Sequence, residues 1–298
     1  MGLIEFQRRF PTEEACEEHL FKVRWPEGFI CPNCQSMRFY KVQTRGLYQC
    51  TSCRRQTSVT AGTVIHKSKM PLQIWFWAIY LCVTDKRGRS ALSLSRHVGV
   101  SYPTAWLMLH KIRPAMAARD ASYKLSGLVE IDDAYFGGQT QREPGSGKGH
   151  GRGTDKAKVV VAVSMANGKP AYVRMKVIDQ MSTRELTGFA TECVKPGAEI
   201  VTDGLAAYTK LSELGYNHSP KVFKKEGPEF LKWVHTIISN AKAYIDGTYH
   251  GLDKVHLQSY LDEFCYRFNR RNRSKELFSR LLAACVDGPI TTYAELTL

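Results

Sequence analysis

Long apolar runs are missing from this 298-residue sequence. The longest run of aromatic and aliphatic residues, Ile74–Val83, is far shorter than the roughly 20 residues that a membrane-spanning helix needs. The pattern of a secretory leader is missing from the first residues as well. These absences argue against a membrane-embedded protein, and we expect a soluble protein of the cytoplasm.

Acidic residues are almost missing between residues 28 and 118. This stretch has 13 Lys and Arg residues and a single acid, Asp85, whereas the whole chain has 42 Lys and Arg against 28 Asp and Glu. The rest of the chain is therefore nearly balanced. A basic block of this size is typical of a surface that binds a polyanion, and DNA or RNA is the first candidate. A well-solvated surface without a partner is the alternative.

The nine cysteines lack the arrangement of a disulfide framework. Four of them form two Cys-x-x-Cys pairs, Cys31 with Cys34 and Cys50 with Cys53, and the other five are scattered through apolar or helical segments. Four thiolates at this spacing predict a structural zinc ion (Zn²⁺), held tetrahedrally in a zinc ribbon over residues 28–70. The scattered thiols indicate a reducing compartment, and a redox role for the pairs is disfavoured.

Helical patterns precede and follow this ribbon. Residues 1–27 predict a short helix with Thr12 as its N-cap, and residues 71–118 predict a helix-turn-helix module whose turn contains Gly99. A helical hairpin with a purely structural role is the alternative. The candidate DNA contacts of the module are Arg87, Arg89, Arg96, Thr104, Lys111 and Arg113.

Strands and helices alternate from residue 119 onwards. The predicted strands cover residues 127–133, 157–165, 170–178 and 199–203, with a helix at 182–193. This order implies an α/β domain with a mixed sheet over residues 119–298. The glycine-rich segment 137–156 lacks the Lys-Ser/Thr of a nucleotide-binding loop. We expect it to be either a hairpin tip that touches DNA or a plain flexible linker.

Two aspartates in this half each close a short apolar run. Asp132 and Asp203 end predicted strands, and His235 lies in a predicted helix. Carboxylates at strand ends are natural ligands for magnesium, and a two-metal site cleaves or joins phosphodiesters. Strand alternation places Glu130 with Asp132 on one face and Asp133 on the other, which favours Asp132 as the ligand. An ordinary turn at Asp203 and a packing role for His235 are the alternatives.

Several motifs resemble those of DDE-type insertion-sequence transposases, in the branch with an N-terminal zinc ribbon. They are Phe10–Cys16, Arg24–Cys34, Val129–Gly138, Thr202–Tyr208, Gly247–His250 and Tyr260–Arg271, so the resemblance covers almost the whole chain. It implies a ribonuclease-H-like catalytic domain, recognition of terminal inverted repeats, and metal-dependent cleavage and transfer of DNA strands. The catalytic metal would be Mg²⁺ or Mn²⁺.

The family pattern places a third acid on a helix, seven residues before a lysine. Counting back from Lys242 reaches His235, and the branch resembled allows His or Asn there. The resemblance therefore implies a catalytic set of Asp132, Asp203, His235 and Lys242, with the first three as metal ligands and the lysine on a DNA phosphate. Because imidazole suits manganese better than magnesium, His235 as a direct ligand favours Mn²⁺. The alternatives are that His235 contacts the metal through water or positions the attacking hydroxyl.

The C-terminal basic run, residues 267–273, predicts further DNA contacts through Arg270 and Arg271, or else simply solvates a helix end. The predicted partners are double-stranded DNA, as element ends and target, and further copies of the chain in at least a dimer on DNA. Such a protein would be associated with the nucleoid. A DNA-binding regulator without catalysis, a nuclease that cuts without joining, and an inactive copy are the alternatives.

Overall fold

The computed structural model describes residues 1–137, 156–221, 227, 230–250 and 252–297. Most of the predicted hairpin tip, residues 138–155, lies outside the described residues. The chain divides into two compact units, one of Met1–Arg119 with Asn272–Leu298 and the other of Asp120–Arg271. Within the described part of the chain, no helix is long and apolar enough to cross a membrane.

Ten α-helices and eight strands are described. The helices are α1 (Leu3–Arg9), α2 (Glu13–Arg24), α3 (Leu72–Thr84), α4 (Ala91–Val98), α5 (Tyr102–Ala121), α6 (Thr183–Cys193), α7 (Lys232–Thr248), α8 (Leu257–Asn269), α9 (Leu277–Asp287) and α10 (Tyr293–Thr297). The strands are β1 (Phe39–Val42), β2 (Leu47–Cys50), β3 (Gln56–Thr57), β4 (Leu128–Phe136), β5 (Ala157–Ala166), β6 (Lys169–Ile178), β7 (Glu199–Thr202) and β8 (Asn217–Pro220). The predicted strands of the second half and its first helix are thereby confirmed. The predicted helix with Thr12 as N-cap is confirmed as α2, and α1 before it was not predicted.

The first unit combines a small sheet with a helical core. The sheet has the order β1-β2-β3 with antiparallel neighbours. Aromatic rings hold the helices together: Phe6 of α1 lies 5.2 Å from Phe278 of α9, and Phe76 of α3 lies 5.5 Å from the same ring. This apolar face of α9 places residues 272–298 in the first unit, whereas we had predicted one domain from 119 to 298.

The second unit is built on a five-stranded mixed sheet with the order β6-β5-β4-β7-β8. Strands β4, β5 and β6 are antiparallel, while β7 and β8 continue from β4 in parallel. The two faces of β4 follow its alternation. Val129 and Ile131 pack with α6, and Ala134 and Phe136 pack with α7 and α8. The α/β class with a mixed sheet is thus confirmed.

Side chains of α8 cover the outer edge of β6. The Asn269 amide donates to the Val173 carbonyl (3.1 Å) and accepts from the Val173 N–H (2.7 Å). Gln258 accepts from the Val177 N–H (2.7 Å) and donates to the Met175 carbonyl (3.1 Å). Because an uncovered edge strand is a template for pairing with another chain, these amides close that edge against strand addition.

Candidate active site

The register between β4 and β7 brings two carboxylates together. These strands are parallel, with Glu130 opposite Val201. Asp132 and Asp203 each lie two residues further along in sequence, at the carboxyl-terminal end of the paired segment. The two predicted ligands therefore converge because two parallel strands end side by side, as catalytic groups do in open α/β sheets.

Asp133 completes a cluster of three carboxylates. One oxygen from each of Asp132, Asp133 and Asp203 lies within 4.8 Å of the other two, close enough for one divalent cation. Burial raises the pKa of Asp132 to about 6, and the charges of Asp133 and Asp203 act in the same direction. Three acids held this close repel one another, and a bound cation would offset that repulsion. The donor set thus fits a hard divalent metal.

Glu130 determines where helix α7 begins. Its carboxylate accepts a hydrogen bond of 2.8 Å from the backbone N–H of Val234, in the first turn of the helix. The carboxylate satisfies one of the free N–H groups at the helix start and complements the positive end of the helix dipole. Glu130 and Asp132 both point towards α7, as the strand alternation predicted. The anchoring role of Glu130 was not predicted.

His235 lies directly beside Asp132. Its Nε2 atom is 2.9 Å from Oδ2 of Asp132, and 47% of its side chain is exposed. In this arrangement His235 is placed to orient the Asp132 carboxylate, as a partner in the outer shell of a metal site does.

The turn after β7 orients Asp203. Its Oδ1 accepts from the backbone N–H of Leu205 (3.1 Å), while the Thr202 hydroxyl donates to the Asp203 carbonyl (2.7 Å). His218 of β8 contacts the same hydroxyl through Nε2 at 2.9 Å. Aspartate followed by glycine is a turn here, as the alternative proposed, and the same turn presents the carboxylate to the cluster.

Lys242 lies further along α7 than His235. Its Nζ atom is 5.7 Å from the ring centroid of Phe136, the last residue of β4. The seven-residue spacing places both side chains on the face of α7 that follows β4. The lysine is half-buried and lies beyond the carboxylates in the direction in which β4 ends.

The four paired cysteines form the second possible metal site, in the first unit. All four sulfurs lie within 4.8 Å of one another, with Cys31–Cys53 and Cys34–Cys50 distances of 3.6 Å. A zinc tetrahedron with bonds of about 2.3 Å has sulfur–sulfur edges of about 3.8 Å. Backbone N–H groups of Cys53 and Ser52 lower the pKa of Cys50 to about 6, which favours the thiolate that a metal needs.

The predicted helix-turn-helix is present as α4 and α5. Gly99 ends α4 in the left-handed conformation (φ 69°, ψ 33°), which favours glycine. Two of its predicted DNA contacts, Arg87 and Arg96, are exposed. Thr104 is half-buried and bonds to the Ser101 hydroxyl at 2.9 Å.

The other basic candidates of this module are less accessible. Arg89 is paired with Asp85 (3.7 Å) and is only 13% exposed. Lys111 and Arg113 are buried on α5. The sequence could not distinguish these residues from surface cations, because residues that face the interior and residues that face solvent alternate along the same helix. We therefore correct the predicted DNA contacts of Lys111 and Arg113, since their side chains face the interior of the first unit.

Arg270 needs the same correction. Its guanidinium is buried, 2.6 Å from Asp120, and lies over the ring of Tyr266 with 3.6 Å to the centroid. Arg271 is exposed, but its donors bind the backbone carbonyls of Pro170 and Ala171 at the edge of β6. This basic run therefore ties α8 to the sheet, and Arg270 is not available to a DNA phosphate.

The strand order and the helices on both faces of the sheet give the second unit a ribonuclease-H-like fold. Strands in the order β6-β5-β4-β7-β8 carry Asp132 and Asp203 at the ends of the central parallel pair. Residues 124–269 match the model of the ISXO2-like transposase domain, and residues 11–56 match that of a transposase zinc-ribbon domain. The chain therefore carries an ISXO2-like transposase domain preceded by a transposase zinc-ribbon domain.

Solved structures with some similarity to the chain include Mos1 complexes. The Mos1 strand transfer complex shares 13% identity over 69% of this chain and 75% of its own, with a TM-score of 0.29. A pre-cleavage Mos1 transpososome shares 12% identity over 69% and 76%, with a TM-score of 0.28. The curated proteins include no significant sequence match.

Proposed function

We propose that this transposase binds the terminal inverted repeats of an insertion sequence and catalyses cleavage and transfer of their DNA strands. The observation that carries the proposal is the convergence of three carboxylates at the end of the β4–β7 pair. A site of this composition, on a family member with a basic N-terminal half, fits the phosphodiester chemistry of DNA ends.

The carboxylates would hold one or two Mg²⁺ or Mn²⁺ ions. Bound there, the metal would activate the attacking hydroxyl and stabilise the departing oxygen, as in other two-metal sites. Asp132 and Asp203 are the principal ligands in this proposal, and His235 orients Asp132 through the 2.9 Å contact. Lys242 would bind a phosphate near the scissile bond and hold the DNA strand in line for attack.

The first unit would select the DNA. The cysteine cluster would hold Zn²⁺ and fix the ribbon, and the N-terminus of α5 would enter the major groove as the second helix of a helix-turn-helix does. Arg87 and Arg96 are the exposed cations that would contact phosphates beside it. Because one reaction must bring two element ends together, a dimer or larger assembly would form on DNA.

The test is incubation of the purified protein with a labelled duplex from the element end and a target plasmid, with Mg²⁺, Mn²⁺ or a chelator. We expect metal-dependent nicking and joined products for the wild type. Asp132→Asn and Asp203→Asn should remove both products and leave end binding intact. The matched control is Asp246→Asn, which changes an exposed aspartate of α7 and should leave cleavage unchanged.

Each other outcome selects a different function. Nicking without joined products would indicate a nuclease. Tight end binding without scission under any metal would indicate a regulator or an inactive copy. Cleavage that survives either aspartate substitution would contradict the assignment of the site.

A further inference from the structure

Tyr208 is a buried residue whose hydroxyl the reaction outlined above does not use. It lies in the 3₁₀-helix Ala206–Leu211, which follows the Asp203 turn, and its side chain is 0% exposed. Its ring packs in the apolar cluster on the α6 side of the sheet, with Ile131 and Ile200. Apolar packing explains why the ring is buried, but it does not explain why the buried residue carries a hydroxyl group.

The hydroxyl of Tyr208 has no hydrogen-bond partner among the described residues. A buried polar group in this state costs about 1–3 kcal/mol, so such groups are rare unless they serve a function. Another tyrosine of the same cluster shows the usual arrangement. The Tyr216 hydroxyl donates to the carbonyls of Ala190 and Val194, both at 3.3 Å.

The carboxylate cluster borders the side of the sheet on which Tyr208 lies, because Tyr208 follows the Asp203 turn in the chain and packs against the face of β4 that carries Asp133. Asp133 follows Val129 and Ile131 on the α6 side of β4, the side on which Tyr208 is packed. Burial raises the pKa of Tyr208 well above its usual range, and the charges of Asp133, Asp132 and Asp203 add to this effect in that order. The phenol therefore stays protonated and can act as a hydrogen-bond donor.

We propose that Tyr208 is a positioning residue of the metal site: its hydroxyl, which has no partner among the described residues, donates to Asp133 when a cation is bound and turns that carboxylate towards the cation as a third ligand. The proposal rests on the proposed function, since it requires a divalent metal at the aspartates. In this proposal, each face of β4 presents one aspartate of the cluster, and a different residue orients each aspartate. His235 would orient Asp132 from the α7 side, and Tyr208 would orient Asp133 from the α6 side.

The test measures Mn²⁺ binding to the full-length, zinc-loaded protein, using the spin-resonance signal of free Mn²⁺. Tyr208→Phe keeps the ring and removes only the hydroxyl. We expect its Kd for Mn²⁺ to rise about tenfold, as for other outer-shell partners of a metal site. The metal-free protein should melt at the same temperature or higher, because an unpaired buried hydroxyl has been removed.

Two further variants decide whether the effect passes through Asp133. Tyr216→Phe is the matched control, since it removes a paired hydroxyl of the same cluster: it should lower the melting temperature and leave Mn²⁺ affinity unchanged. Asp133→Ala should weaken Mn²⁺ binding by itself, and adding Tyr208→Phe should then cause no further loss. If the two substitutions acted independently, their effects on Mn²⁺ affinity would instead add in this double-mutant cycle.

The outcomes separate this inference from the proposed function. If the wild type binds Mn²⁺ and Asp132→Asn abolishes that binding, the metal site stands. An unchanged Kd in Tyr208→Phe, or an equal loss with and without Asp133, would then overturn the role of Tyr208 alone. If the wild type binds no Mn²⁺, both the inference and the metal-dependent function fail.

Discussion

The cysteine cluster and the carboxylate cluster are both suited to a metal, but their surroundings differ. The cysteines join loops and a three-stranded sheet with few buried residues, and four sulfurs close the site on every side. The carboxylates stand at one end of a five-stranded sheet that has an apolar cluster on each face. We therefore expect a metal to supply folding energy at the first site, whereas the apolar clusters would hold the second site together and leave its metal for chemistry.

The largest effect that follows from this comparison is on the ribbon. Cys50→Ser should abolish zinc binding and unfold the ribbon, because binding of structural zinc contributes about 10–16 kcal/mol in zinc-finger peptides. The second unit should remain folded. Zinc content and limited proteolysis would measure this, with new cleavage expected within residues 28–57 and none within the described segments 156–221 and 230–250 of the second unit.

Cys285→Ala is the matched control for that experiment. This cysteine is buried in α9, outside the four-cysteine cluster, so its loss should leave zinc content and the protease pattern of the ribbon unchanged. A Cys50→Ser protein that keeps a protected ribbon without zinc would show that the comparison is wrong.

An effect of intermediate size separates cations that hold the fold from cations that are free for DNA. Arg270→Ala should lower the free energy of unfolding by about 3–5 kcal/mol, because it leaves Asp120 buried without its partner. Lys242→Ala should cost less than about 1 kcal/mol, since it removes only a weak contact with the Phe136 ring.

Urea unfolding would measure both values, and amide exchange in β6 would assign the transition to the second unit. Cleavage of labelled DNA ends completes the contrast: Lys242→Ala should lose activity at unchanged stability. If Arg270→Ala weakens DNA binding while its unfolding curve stays that of the wild type, Arg270 belongs to the DNA-binding surface after all.

Sequence patterns predicted the parts of this molecule that depend on local order. An apolar run that closes on an acid predicted the positions of Asp132 and Asp203, and thiol spacing predicted the cysteine cluster. Strand β8 was missed, because Asn217–Pro220 is a short, mostly exposed edge segment without an apolar face. The burial of Arg270 was missed because its partner, Asp120, lies 150 residues away in the chain.

The smallest predicted effect concerns pH and the metal-free carboxylates. Asp132 loses its proton near pH 3.8 in the unfolded chain, and burial beside two other acids raises its pKa to about 6 in the folded protein. Between these values the folded state binds one proton more than the unfolded state, so stability falls as pH rises and the loss is complete above about pH 6. This loss should amount to about 3 kcal/mol at most.

The free energy of unfolding between pH 4 and 8, measured without Mg²⁺ or Mn²⁺, would reveal this dependence. Burial also raises the pKa of Asp262, to about 7, so the difference between variants isolates Asp132. Stability should fall by up to about 3 kcal/mol less in Asp132→Asn than in the wild type, while Asp246→Asn should match the wild type. Mn²⁺ should restore the stability of the wild type at pH 7, because the bound cation would offset the repulsion among the three carboxylates. An equal fall in the wild type and in Asp132→Asn would mean that the folded protein does not hold Asp132 close to the other acids. The contrast between a site that needs a metal to fold and a site that folds without one, at a cost in stability, would then disappear.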